Sequence, residues 1–169
     1  YEVKETSGSY RFITDKLPIN FKWVGFIKLI FPESKIIHCT RDPRDTCLSI
    51  FKNYFTSTEL NYAYNLDEMI KFYNIYNNLM DFWKSKSTKN YSEVHYEELV
   101  RNTKSQIKKI IENCDLDWNN SCLKFYNNDR PVKTASDTQV RNKIYSNSLN
   151  SWKNYEKYVS KDFTKLIIN

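Results

Sequence analysis

The segment Arg41-Asp42-Pro43-Arg44 cuts off a short apolar run, Lys35-Ile36-Ile37-His38-Cys39-Thr40, and leads into Asp45-Thr46-Cys47-Leu48-Ser49. These residue types in this order suit the binding of an anion. Proline is well placed at the first position of a helix, where its missing N–H would have had no partner, so a helix is expected to start at Pro43. Arg41 then stands at the carboxyl end of a strand, where open α/β sheets form the crevice that takes ligands. Ser49 falls about two turns along the helix. A guanidinium, a hydroxyl and a helix N-terminus converging on one crevice make a phosphate or sulfate site. Any single arginine at a strand end reads first as an ordinary surface charge, so the argument rests on the combination.

Two further groups could serve the same chemistry. Lys16 follows the segment Tyr10-Arg11-Phe12-Ile13-Thr14-Asp15, which reads as a strand, and would emerge at the same sheet edge as Arg41 if the strands are parallel. A lysine there is a compact charge able to stabilise a transferring group, or else a solvated residue before a turn. The segment 132–143 interleaves hydroxyls and cations, among them Ser136, Arg141 and Lys143, and reads as a loop that wraps an anion or as a plain surface connector. His38 and His95 fall in strands and read as packed, satisfied histidines before they read as bases. Trp118 and Trp152 fit either packing or base stacking.

The elements that must position these groups are legible from periodicity. Asn20 is the expected N-cap of a helix over 21–31, and Pro32-Glu33-Ser34 turns the chain into a strand over 35–40. Residues 54–65 read as a loop. A long helix follows over 66–86, with Leu66, Met69, Ile70, Tyr73, Tyr76, Met80 and Trp83 at helical spacing. A third strand is expected over 91–96, then helices over 103–114 and 119–126, irregular chain over 127–147, and helical stretches over 148–157 and 160–168. Strand, helix, strand, helix predicts a parallel sheet joined by right-handed crossovers, in one α/β domain over residues 1–169.

Composition limits the possible partners. With 169 residues, 40% hydrophobic and 16% aromatic, the chain can bury a core and is not a disordered segment. Its net charge of +6 favours an anionic partner without naming one. Only two glycines occur, so neither common glycine-rich phosphate loop can lie within these residues. The four cysteines show no metal-binding spacing and read as buried free thiols of a reducing compartment, the cytoplasm. No apolar run is long enough to span a membrane. A nucleic-acid-binding domain would carry a basic stripe, whereas the 26 basic residues here are scattered among 20 acidic ones.

At these residues the chain resembles the sulfotransferases that use 3′-phosphoadenosine 5′-phosphosulfate. It is most similar to the bacterial members attached to tetratricopeptide repeats and to the tyrosylprotein sulfotransferases. The matching text runs from Phe12 to Phe21 and from Leu29 to Ser49. It continues with Val94-His-Tyr-Glu-Glu-Leu-Val100, Cys114-Asp-Leu-Asp-Trp118, Thr134-Ala-Ser136, Gln139-Val-Arg141 and Trp152-Lys-Asn-Tyr155. The resemblance implies a P-loop-NTPase-like three-layer fold, a parallel sheet with helices on both sides. It implies that Arg41 and Ser49 hold the 3′-phosphate of the donor and that Tyr96 contacts the nucleotide. Lys16 and Ser136 would be catalytic, Lys16 stabilising the sulfuryl group in flight and Ser136 helping to hold the phosphosulfate. Arg141 and Lys143 would close over the 3′-phosphate. The resemblance requires no metal and implies a hydroxyl acceptor, on protein tyrosine or another molecule; residues 54–65, rich in Tyr and Thr, are a candidate for the acceptor side by position alone.

Two departures accompany the resemblance. The family's glycine-containing loop for the 5′-phosphosulfate lies upstream of the matched motifs and is absent here. The general base is missing as well: Lys16 occupies the histidine slot of a Lys-x-His-Leu-Pro motif, and Asp15 is a poor substitute. The expectation is therefore a chain incomplete at its N-terminus, partnered by a missing N-terminal half of the same protein and inactive alone. The alternative is a non-catalytic nucleotide- or anion-binding remnant of the same fold.

Overall fold

The computed structural model describes residues 12–86, 89–128 and 140–168. The chain enters through irregular residues 12–17 into a 3-10 turn, Pro18–Trp23, that continues as helix α1 (Val24–Ile30). Strand β1 (Ile36–Thr40) follows, then helix α2 (Pro43–Phe51), which starts at the proline as expected. A second 3-10 segment, Thr58–Tyr64, leads into the long helix α3 (Leu66–Lys86). Strand β2 (Tyr91–His95) runs directly into helix α4 (Tyr96–Arg101), followed by helix α5 (Thr103–Asn113). The 3-10 stretches Asn120–Asn127 and Ser151–Tyr155 precede the last helix, α6 (Glu156–Phe163).

Helix α3 is the spine because its apolar positions repeat at helical spacing along two different neighbours. Its first half gives Met69 and Ile70 to a core shared with Cys47 and Leu48 of α2 and with Trp152, Val159, Phe163 and Leu166 near the C-terminus. Its second half gives Met80 to a core with Phe21 and Val24, flanked by Ile36, Tyr76, Trp83 and Tyr91. The approach of α1 to α3 depends on Gly25, where an added Cβ would stand 2.3 Å from Trp83 Cη2.

The sheet has two strands among the described residues, paired in parallel with Ile36 opposite Tyr91 and Thr40 opposite His95. Along β1 the side chains alternate, with Ile36, His38 and Thr40 turned inward and Ile37 and Cys39 exposed. His38 hydrogen-bonds the Tyr76 hydroxyl of α3 through Nε2, and its Nδ1 lies 2.8 Å from the Tyr91 hydroxyl and 3.4 Å from Glu93 Oε1. Lys84 Nζ donates to Glu93 Oε2 at 2.5 Å, and Asp81 of α3 adds a more distant negative charge.

Burial holds His38 below its ordinary pKa despite Glu93, and it pushes the Tyr76 hydroxyl up to about 12. Burial alone would raise Glu93, but Lys84 and His38 keep its carboxyl below the usual range. Both shifts act in the same direction on stability. An unfolded histidine takes up its proton near pH 6.5 while the folded one resists it, so acidification favours unfolding. Glu93 adds to the loss once the pH falls through its folded value. The melting temperature is expected to fall from pH 7.5 to pH 5, and His38→Gln should flatten that slope; a slope unchanged by the substitution would contradict this.

Several sequence expectations change. Residues 12–15 are not a strand, and the rest of the expected strand 10–15 lies outside the described residues. Asn20 does not cap a helix; it sits inside the 3-10 turn and its Nδ2 donates to Asp15 Oδ2 at 2.8 Å, because Pro18 has already started the turn. Cys39, expected buried, is exposed, although Val94 opposite it in the register is buried. Residues 54–65 hold a 3-10 segment rather than loop alone. The long helix stands as expected, the strands expected over 35–40 and 91–96 run over 36–40 and 91–95 with Tyr96 opening α4 instead, and the architecture is α/β.

Candidate functional site

The parallel register carries the two site residues that it brings together. Thr40 and His95 end their strands side by side, with Thr40 Oγ1 2.8 Å from His95 Nδ1, so the next residue of each strand leaves at the same rim. Those residues are Arg41 and Tyr96. The Arg41 guanidinium lies over the Tyr96 ring at 5.0 Å, a cation–π contact. Its Nη2 donates to the Ser148 carbonyl at 2.5 Å and stands 3.9 Å from Asp45 Oδ2. Its Nε–H is buried with no hydrogen-bond partner among the described residues. A buried, unsatisfied donor on a cation is costly unless an acceptor reaches it, and an anionic oxygen suits it best.

The first turn of α2 is tied down around this arginine. Asp42 caps the helix by accepting from Arg44 N at 2.8 Å, and Arg44 Nη2 returns to Asp42 Oδ2 at 2.6 Å. Burial alone would raise the Asp42 carboxyl, but Arg44 holds it below its ordinary value. The Asp42 N–H donates to Glu97 Oε1 at 2.9 Å, locking α2 to α4. Asp45, 1% exposed, accepts from Asn150 N at 2.7 Å, from Ser151 Oγ at 2.9 Å and from Trp152 N at 2.9 Å. The Arg44 guanidinium lies 4.3 Å over the Trp152 ring. The C-terminal segment is thus fastened to the helix that starts the site.

The other expected site residues are placed as follows. Ser49 is half-buried on α2, one turn beyond Asp45. Arg141 is half-buried in the chain that leads to Ser148. Lys143 is exposed, with Nζ 5.8 Å from the centre of the Tyr126 ring, and lines a pocket with Thr103, Leu123, Phe125, Tyr126 and Ile144. Lys16 is exposed in irregular chain before Pro18–Trp23, so it does not leave a strand beside β1. Ser136 lies outside the described residues. The structure therefore joins Arg41 and Tyr96 directly and brings the Ser148 carbonyl to them.

Sequence reasoning passed over Asp45 and the short helix α4. An aspartate two residues inside a helix looks like a favourable first-turn charge, and only its burial marks it out. Helix α4 was concealed because Tyr96 reads equally well as the last residue of the strand. Trp152 resolves to packing, its ring edge-on to Phe163 with centroids 6.3 Å apart.

Comparisons with known proteins converge on one family. The family model described as "Sulfotransferase family" matches residues 1–120. An uncharacterized protein of Aquifex aeolicus (strain VF5) is 35% identical over 150 residues, which cover 88% of this chain and 20% of that protein. Protein-tyrosine sulfotransferase A of Caenorhabditis elegans is 29% identical over 111 residues, 66% of this chain and 29% of that protein. The chain spans less than a third of the length of these curated relatives. With the anion-suited arginine where the strand ends and the family model covering both strands, the conclusion is direct: this chain belongs to the sulfotransferase family.

Proposed function

We propose that this chain supplies the 3′-phosphate-binding part of an enzyme that transfers a sulfuryl group from 3′-phosphoadenosine 5′-phosphosulfate to an acceptor hydroxyl. One observation carries the reading: Arg41 and Tyr96 meet at the carboxyl rim of a parallel strand pair, the partly exposed guanidinium held over the ring and against the Ser148 carbonyl. Arg41 and Ser49 take the 3′-phosphate, and Tyr96 contacts the nucleotide beside it. Arg141 and Lys143 close over the phosphate. Ser136 helps hold the phosphosulfate, and Lys16 stabilises the charge of the group in flight. Sulfuryl transfer, like phosphoryl transfer, is served mainly by positioned cations rather than covalent steps.

The rest of the site, including the 5′-phosphosulfate loop and the base, comes from polypeptide outside these residues. In support, Ile37 and Cys39 of β1 are exposed, and α1 exposes Phe26 and Leu29. Parallel sheets are normally covered on both faces, and that polypeptide would complete the three-layer fold. Calorimetric titration tests the reading. Adenosine 3′,5′-bisphosphate should bind more tightly than adenosine 5′-monophosphate by about tenfold or more, the worth of a charge-assisted hydrogen-bonded phosphate. Equal affinities would refute it.

One observation favours a non-catalytic nucleotide-binding module instead. His38, the buried histidine of the strand pair, is engaged at both ring nitrogens by two tyrosines and Glu93 and is not posed as a base. Sulfuryl transfer by the complete gene product decides between the two.

A further inference from the structure

We infer that Asp45 is the positioning residue for Arg41, acting through the 148–152 segment rather than on the ligand itself; this rests on the function proposed above. Asp45 is the one charged residue fully buried among the described residues. Burying a carboxylate is expensive unless its oxygens are well supplied with donors. Here three donors come from three consecutive residues, Asn150, Ser151 and Trp152, that lie more than a hundred positions away in the chain. That clamp fixes the segment on α2. Asn150 adopts a left-handed backbone, φ 56°, which aims its N–H at Asp45 Oδ2. Two residues earlier the same segment presents the Ser148 carbonyl to Arg41 Nη2.

Arg41 is therefore gripped on its Nη2 side by a carbonyl that Asp45 holds in place, and on its face by Tyr96. The grip holds the partly exposed guanidinium in a fixed orientation, with its Nε–H buried and without a partner among the described residues. The chain just before Ser148 carries Arg141 and Lys143, so the same clamp anchors the loop bearing the remaining cations.

Two effects of removing the Asp45 charge have opposite signs, which makes the inference testable. As an anion 3.9 Å from Arg41, Asp45 weakens phosphate binding by simple electrostatics, so neutralising it would tighten binding. As the holder of the clamp it strengthens binding. In Asp45→Asn the new amide group would face the Asn150 N–H, donor against donor, and the segment would let go of Arg41.

The experiment measures binding of adenosine 3′,5′-bisphosphate and adenosine 5′-monophosphate to the full chain carrying Asp45→Asn or Ser151→Ala, with amide exchange at Asn150 and Trp152 as the report on the clamp. Asp45→Asn should weaken the bisphosphate about tenfold and leave the monophosphate unchanged, while exchange at both amides rises. Ser151→Ala keeps the charge, removes one donor and should act in the same direction more weakly; it carries the test if Asp45→Asn does not fold. Tighter or unchanged bisphosphate binding with an opened clamp overturns the inference. Equal loss for both ligands also overturns it, since that marks a merely structural role. Should the unmodified chain show no preference for the bisphosphate, the proposed function itself fails.

Discussion

Arg41→Ala is expected to raise the Kd for adenosine 3′,5′-bisphosphate about 100-fold, roughly 3 kcal/mol, the upper range for a charge-assisted hydrogen bond. The magnitude follows from what the side chain has available. Its Nη2 is committed to Ser148 and its face to Tyr96, so the guanidinium is already oriented and little freedom is lost when a phosphate arrives. Arg41→Lys should recover only part of the affinity, because an ammonium keeps the charge but not the planar fork. Tyr96→Phe keeps the ring under the guanidinium and isolates the contribution of the hydroxyl. Titration of the three variants checks the series; a bisphosphate affinity untouched by Arg41→Ala would remove the basis of the proposed site.

The second large effect is on stability. Trp152→Ala should lower the unfolding free energy by about 3–5 kcal/mol, the usual cost of emptying a large aromatic site in a core. Trp152 is 6% exposed, stands edge-on to Phe163, and lies beneath the Arg44 guanidinium. Its indole N–H is buried without a partner among the described residues, so Trp152→Phe keeps much of the packing and removes an unsatisfied donor. The phenylalanine variant should therefore lose well under half of what the alanine variant loses in urea denaturation. Similar losses for both would mean that packing around the outer ring dominates.

The legible parts of the sequence were those where local chemistry and tertiary packing agree. Helix α3 has the helical apolar spacing, and α2 has a proline at its first position behind a capping aspartate. The Arg41–Tyr96 pair was legible only as two motifs; their contact depends on a register that no local pattern encodes. Asn20 misled because Pro18 fixes the turn earlier than the cap signal suggests. Cys39 misled because its apolar surroundings predict burial, whereas it lies exposed next to a buried Val94 on the paired strand. Asp45 was invisible because its partners lie 105 to 107 residues downstream.

That last separation governs when the site can exist during synthesis. Closing β1 on β2 already joins residues 55 apart, and contacts of such long range form slowly because loop closure costs entropy before any contact repays it. The carboxylate of Asp45 leaves the ribosome more than a hundred residues ahead of its donors and must wait, solvated, until residues 150–152 follow. The nascent strand pair is complete well before then, but its arginine gains its orientation only as the segment 148–152 arrives.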